Sequence, residues 1–297
     1  MKNKTLGNML LLLTAIIWGF AFVAQRTSME YIGPFTFNGI RFIVAGVALI
    51  PVIAIFSKND KHTQTVEGKK TLLKGGIYSG IVLFLASSLQ QIGLVYTTAG
   101  KGGFITSLYV VIVPIIGLFL KEKIKKSMWI SVILATVGLY LLSIGPNFTI
   151  NFGDFLVLLC AIGFAFHIII INQFSNKVDS VKMSCIQFFV AGVLSIPIFL
   201  VTEDINIQNI ISSWMPILYA GVLSGGVAYT LQIVGQKYTD PVSASLLLSL
   251  ESVFSVIGGV LLLQEFISTK ELIGCAIMFI AIVISQFVSE SKDESTD

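Results

Sequence analysis

The segment from Gly7 to Pro51 is written again from Gly153 to Pro197 at a constant spacing of 146 residues, and both copies are strongly apolar. Under that spacing Gly7 meets Gly153, Leu10 meets Leu156, Ala15 meets Ala161, Phe20 meets Phe166, Ile40 meets Ile186, Phe42 meets Phe188 and Gly46 meets Gly192. Further along, the spacing falls to about 142. There Val95-Tyr96-Thr97-Thr98 faces Lys237-Tyr238-Thr239-Asp240, and Leu120-Lys121-Glu122 faces Leu263-Gln264-Glu265. A repeat of this extent means one module folded twice, with the halves expected at residues 1–146 and 147–297.

The number of times each module crosses a bilayer decides how the copies are related. A helical span needs roughly 20 mostly apolar residues to cover about 30 Å of hydrocarbon. The first half holds five such runs, about residues 7–25, 34–56, 72–96, 102–120 and 128–144. The second half holds five more, about 153–172, 182–201, 214–236, 241–263 and 271–288. An odd number of crossings sets the second copy upside down relative to the first. The expectation is an all-α integral membrane protein with ten transmembrane helices in two inverted-topology five-helix repeats.

Charge supports a bilayer as the surrounding phase. Only 12% of the 297 residues are charged and 55% are hydrophobic, whereas a soluble domain would be about a quarter charged. The net charge of +3 therefore gives no reason to expect nucleic acid as a partner. With the N-terminus inside, 15 of the 19 Lys and Arg residues fall on the inner side. Arg26, Lys101 and Lys270 fall outside, and Arg41 lies within a span. This bias predicts a multi-pass protein of the cytoplasmic membrane with both termini cytoplasmic.

Lys2 and Lys4, followed by an apolar run and Ala21-Phe22-Val23-Ala24, have the form of a secretory signal. The repeat copy of that segment is an interior span, so a retained helix is expected. Cys160, Cys185 and Cys275 lie inside spans without metal or pairing spacing and read as small packing residues. The chain has no phosphate-cradling Gly-x-x-x-x-Gly-Lys run. Neither an enzyme activity nor a cofactor is expected.

Inverted repeats in an all-helical membrane chain are the architecture of secondary transporters, because mirror-related arrangements give outward-open and inward-open states of similar energy. The chain also carries Trp18-Gly19-Phe20-Ala21-Phe22-Val23, Asn38-Gly39-Ile40-Arg41-Phe42, Tyr96-Thr97-Thr98-Ala99 and the two helix ends at Glu122 and Glu265. In these segments it resembles the drug/metabolite transporter superfamily, specifically its ten-helix members built from two EamA domains. The resemblance implies export of small metabolites, with amino acids or related amphipathic compounds the leading class. The four-helix multidrug relatives depend on a Glu in the first helix, which is absent here; relatives that move phosphorylated sugars would need several cations in the cavity, where only Arg41 lies deep in a span. A proton-coupled exporter of cationic drugs and a non-transporting membrane receptor or scaffold remain the alternatives, and the oligomeric state is open.

Polar groups inside spans are costly and mark pathways by default. Glu251 lies about ten residues from Pro241, hence roughly 15 Å deep, where a carboxylate must pair, bind a cationic group or accept a proton. Its alternative is packing glue among Ser249, Ser252 and Ser255. Arg41, with Asn38 on the same face, either reaches Glu251's level or snorkels outward; its repeat partner is Gln187. Gln91 and Gln232 are expected to face the cavity from two sides or to bond between helices. Trp18, Phe22 and Gln25 share a face of the first helix, and its copy presents Phe164, His167 and Ile168. Gly76-x-x-x-Gly80 and Gly221-x-x-x-Gly225 read as close helix contacts, and Pro114 is expected to kink the fourth span with no counterpart in the second half.

Overall fold

The computed structural model describes residues 2–56, 64–121, 124, 126–143, 151–264 and 268–290, and every regular element among them is helical. In the first half, α1 (Lys2–Ser28), α2 (Pro34–Phe56) and α3 (Val66–Tyr96) are followed by α4 (Ala99–Ser107), α5 (Tyr109–Phe119) and α6 (Lys126–Ser143). The second half runs α7 (Phe152–Ser175), α8 (Ser180–Thr202), α9 (Ile207–Ser212) and α10 (Trp214–Leu218). A π-helix (Tyr219–Tyr229) then leads into α11 (Thr230–Gly235), α12 (Pro241–Leu248), α13 (Glu251–Leu263) and α14 (Thr269–Glu290). Eight segments are long and apolar enough to cross a membrane, counting α4–α5, α10–α11 and α12–α13 as one each. The fifth and tenth expected spans correspond to α6, with the shorter apolar stretch Met128–Leu141, and to α14. These two pack against each other.

Burial is reversed relative to a soluble protein. Leu85, Ile133, Val193 and Leu261 are more than half exposed, while Thr14, Asn38, Gln91, Gln187 and Ser195 are fully buried. Apolar side chains face outward because hydrocarbon receives them without cost, and polar ones turn inward to find partners. The chain is a multi-pass membrane protein.

The packing obeys the repeat. Helix α2 packs on α8, and α3 on α7 just as α1 packs on the π-helix and α11. The aligned residues Phe42 and Phe188 stack on each other, 6.1 Å between ring centroids and 9° between planes, as residues on a pseudo-two-fold axis must. Two glycine crossings make the symmetry explicit. A Cβ built on Gly93 would lie 2.8 Å from Gly153 O, and one on Gly235 would lie 3.0 Å from Gly7 O. Gly93 and Gly235 are 142 residues apart, Gly7 and Gly153 are 146 apart, and the tyrosines Tyr96 and Tyr238 cover the two crossings. The predicted Gly-x-x-x-Gly contacts are present: Gly80 lies against Gln187 O and Val190 of α8, and Gly221 and Gly225 against Arg41 O, Val44 and Ala45 of α2.

Three expected continuous spans are interrupted. The fourth breaks between α4 and α5 at Leu108, and the ninth between α12 and α13 at Ser249-Leu250, the same repeat position. Both breaks are turns tightened to three-residue hydrogen bonds, Leu108 N–H to Ile105 O at 3.2 Å and Leu250 N–H to Leu247 O at 3.3 Å. Pro114 does not cause the interruption: it sits inside α5 beyond the break, and the second half breaks without a proline. In the ninth span the serines supply a local reason, because Ser245, Ser249, Ser252 and Ser255 each donate to the carbonyl three residues back, which favours the tighter turn over the α-helix. Helix ends also match. Lys121 (φ 62°) and Gln264 (φ 56°) hold left-handed conformations after α5 and α13, in the aligned helix-end segments; Glu122 and Glu265 of those segments lie outside the described residues.

Candidate functional site

A cavity lies between the two halves, and both helix breaks abut it. Glu251, the first residue of α13, and Tyr109, the first residue of α5, both line it. They are repeat equivalents, 142 residues apart. The cavity thus holds a carboxyl group from one half opposite a phenol from the other. Both are at most 3% exposed. Ser107 Oγ donates to Ser249 O at 3.4 Å and lies 3.5 Å from Glu251 Oε1, joining the two broken helices at their breaks.

Arg41 of α2 also lines the cavity. Its guanidinium lies over the rings of Phe42 (4.6 Å) and Phe37 (5.1 Å), an arrangement in which the aromatic faces offset part of the lost hydration. Among the described residues no ion pair joins Arg41 to Glu251. Three buried polar atoms on the cavity wall have no hydrogen-bond partner: Arg41 Nε, Gln25 Oε1 and Gln232 Oε1. Orphaned side-chain atoms also occur away from the cavity, Asn38 Oδ1, Gln91 Oε1 and Gln187 Nε2 among them, but those on its wall are the ones a solute in the cavity could reach.

The apolar walls come from symmetry-related faces. Trp18 and Phe22 of α1 line the cavity, as do their repeat partners Phe164 and Ile168 of α7. Trp18 stacks at 4.6 Å on Tyr229 at the end of the π-helix and donates Nε1–H to Ser224 O at 3.2 Å. Thr14 Oγ1–H of α1 donates to Ala228 O (3.1 Å), and Tyr219 Oη–H of the π-helix donates back to Ile17 O of α1 (3.0 Å). A π-helix widens the turn and offers carbonyls sideways, and here α1 receives them. Trp18→Phe keeps the ring surface but loses the donor. The expected cost is about 1 kcal/mol, read as a drop in melting temperature of a few degrees in detergent.

Of the residues singled out in the sequence, Glu251, Arg41, Trp18, Phe22 and Gln232 converge on the cavity, and four do not line it. Asn38 donates Nδ2–H to Ser87 O at 3.1 Å and braces α2 against α3. Gln91 donates to Gln25 O at 3.1 Å. Its neighbour Gln90 lines the cavity instead, with Nε2 donating to Thr106 Oγ1 at 3.1 Å. At the later spacing of 142, Gln90 rather than Gln91 is the counterpart of Gln232. His167 and Gln187 pair with each other at 3.1 Å, and the imidazole packs edge-on against Tyr229, 5.7 Å between centroids. Tyr109, Thr106 and Tyr229 escaped sequence reading because they sit in apolar runs; the repeat offset that sets Tyr109 on Glu251 was the available signal.

A cavity with polar lining at the junction of two symmetric helical repeats, flanked by discontinuous membrane helices, is an arrangement that membrane transporters use. The comparisons with known proteins place the chain more closely. Residues 5–144 and 151–287 each match the model of the EamA-like transporter family, and the chain belongs to that family. An uncharacterized transporter of Archaeoglobus fulgidus is 34% identical over 278 residues, covering 92% of this chain and 83% of its own. A WAT1-related chloroplastic protein of Arabidopsis thaliana is 24% identical, over 91% of this chain and 67% of its own. A crystal structure of a protein only 16% identical shares the fold, with a TM-score of 0.76 over 96% of this chain and 98% of that one.

Proposed function

We propose that this protein exports small zwitterionic metabolites, amino acids or related amphipathic compounds, across the cytoplasmic membrane by alternating access. The observation that carries the reading is the pairing of Arg41 and Glu251 on one cavity without an ion pair between them, beside aromatic walls. A substrate carboxylate would take Arg41 and the Tyr109 hydroxyl. Its ammonium would take Glu251 and the amide oxygens of Gln25 and Gln232, and its side chain would lie against Trp18 and Phe22. The positive-inside bias supports cytoplasmic termini, and the two modules 1–146 and 147–297 would be the rocking halves. The reading requires neither cofactor nor catalysis.

The test is thermal stabilisation of the purified protein by a panel of amino acids, amines, nucleosides and organic anions, since a ligand bound to the folded state raises its melting temperature by mass action. Amino acids should shift the wild type, and Arg41→Ala should abolish the shift for carboxylate-bearing ligands while sparing any shift by simple amines. A shift by organic cations alone would overturn the zwitterion reading. It would favour a second one, a proton-coupled exporter of cationic compounds. The second reading rests on Glu251 being the one carboxylate among the residues lining the cavity. Absence of flux for every solute in sealed vesicles would leave only the receptor or scaffold reading.

A further inference from the structure

The two symmetry-related glycine crossings differ in charge. At the crossing of α3 with α7, Asp154 accepts from Lys101 Nζ at 2.6 Å, from Thr97 Oγ1–H at 2.9 Å and from Asn151 N–H at 2.7 Å. Asn151 in turn donates Nδ2–H to Tyr96 O at 3.0 Å. The carboxylate is 2% exposed and the lysine 17%. At the crossing of α1 with α11, the two positions equivalent to the ion pair are uncharged. Asn8 stands for Asp154, Thr239 for Thr97 and Ser243 for Lys101. Thr239 Oγ1–H reaches Asn8 Oδ1 at only 3.4 Å, and Ser243 turns back to cap its own helix on Asp240 Oδ2 at 2.7 Å.

We propose that Lys101 and Asp154 form a one-sided ionic latch, which holds the cavity shut on the face of the α3–α7 crossing more firmly than the neutral contact holds it on the opposite face. The two crossings sit at opposite ends of the cavity, each joining one half to the other. In alternating access one opens while the other stays closed. Separating a largely buried, hydrogen-bonded ion pair demands rehydration of both charges, whereas Asn8 and Ser243, at the equivalent positions of the other crossing, carry no charge to rehydrate. Equal gates would follow from perfect symmetry, so the substitution of two charges at one end biases the resting protein toward opening at the other. On the orientation expected from the positive-inside bias, the latched face is extracellular and the resting cavity faces the cytoplasm. The inference itself does not depend on which solute is carried.

The experiment places a reporter cysteine at Ser224, on the cavity wall, in a chain whose Cys160, Cys185 and Cys275 are replaced by alanine. A membrane-impermeant maleimide is added to reconstituted vesicles from one side and then from the other. Lys101→Met, which keeps the aliphatic stem, should raise labelling from the latched face roughly tenfold by shifting the population toward the state open there. The exchanged pair Lys101→Asp with Asp154→Lys should return it to within about twofold of the parent, an outcome that a merely structural lysine would not give. The transplant Asn8→Asp with Ser243→Lys builds the latch on the opposite face, where labelling should fall. Labelling by Lys101→Met within about twofold of the parent from both faces would overturn the proposal, and should that variant fail to fold, unchanged labelling in the transplant would do the same.

Discussion

Glu251→Gln should abolish ligand-induced stabilisation and cut transport by roughly a hundredfold, while the ligand-free protein melts at about the same temperature. The contrast follows from where the carboxylate sits. Glu251 is 3% exposed, has no cationic partner among the described residues, and lies at 3.5 Å, the limit of a hydrogen bond, from Ser107 Oγ. A buried carboxyl group with no cationic partner adds little to the stability of the empty protein, so its replacement by an amide costs the fold little. Glutamine is of the same size and leaves the break between α12 and α13 intact, because the serine hydroxyl bonds that shape it do not involve the Glu251 side chain. A bound ammonium, however, loses its counter-charge in a desolvated site, which is worth about 3 kcal/mol and hence the hundredfold change. Melting curves with and without ligand, alongside flux in vesicles, separate the two effects. Normal flux in a well-folded Glu251→Gln protein would remove the carboxylate from the pathway.

The sequence made the repeat, the spans and the family legible because each is carried by long-range periodicity, which survives divergence of individual residues. The charged pair Glu251 and Arg41 stood out for the same physical reason that places them at the cavity: hydrocarbon tolerates such groups only where protein or water receives them. Less legible were features that depend on hydrogen bonding within an apolar run. An α-helix, a π-helix and a pair of broken half-helices present the same hydropathy, so Tyr219–Tyr229 and the breaks at Leu108 and Ser249-Leu250 read as uninterrupted spans. A one-residue slip in the repeat register exchanged Gln91 for Gln90, which turns a side chain by about 100° around the helix. His167 and Gln187 show a different limit. Each is a polar residue in a span, yet they pair with each other at 3.1 Å away from the cavity, which only coordinates reveal.

Symmetry and its departures then divide the labour. Residues kept in both copies, such as Phe42 with Phe188 and the glycines of the two crossings, hold the halves together. Residues that differ between copies gather at the cavity and at one gate: Glu251 against Tyr109, Arg41 against Gln187, Asp154 against Asn8. A two-fold cavity lined by identical charges would receive a symmetric solute, whereas one carboxylate and one guanidinium suit a molecule with unlike ends.

Gly153→Ala and Gly93→Ala should each destabilise the protein by about 3 kcal/mol, the upper end of the cost of overpacking a close contact, with Gly235→Ala milder. The ranking comes from what a Cβ meets. On Gly153 it would lie 2.6 Å from Gly93 O and 2.7 Å from Tyr96 Cβ, and on Gly93 2.5 Å from Val157 Cγ2 and 2.8 Å from Gly153 O. In both cases helix backbone stands in the way, so the helices themselves must separate. On Gly235 the nearest atom is Leu11 Cγ at 2.9 Å, a side chain able to turn aside, with Gly7 O at 3.0 Å. The double variant Gly93→Ala with Gly153→Ala should cost less than the sum of its parts, because once one methyl has pushed α3 from α7 the second enters space already opened. Gly93→Ala with Gly235→Ala touches two separate crossings and should be additive to within about 0.5 kcal/mol. Thermal melts of the wild type and the five variants in one detergent decide the matter: strict additivity at a single crossing would mean that the two glycines do not share one contact, and the close helix approach would be wrong.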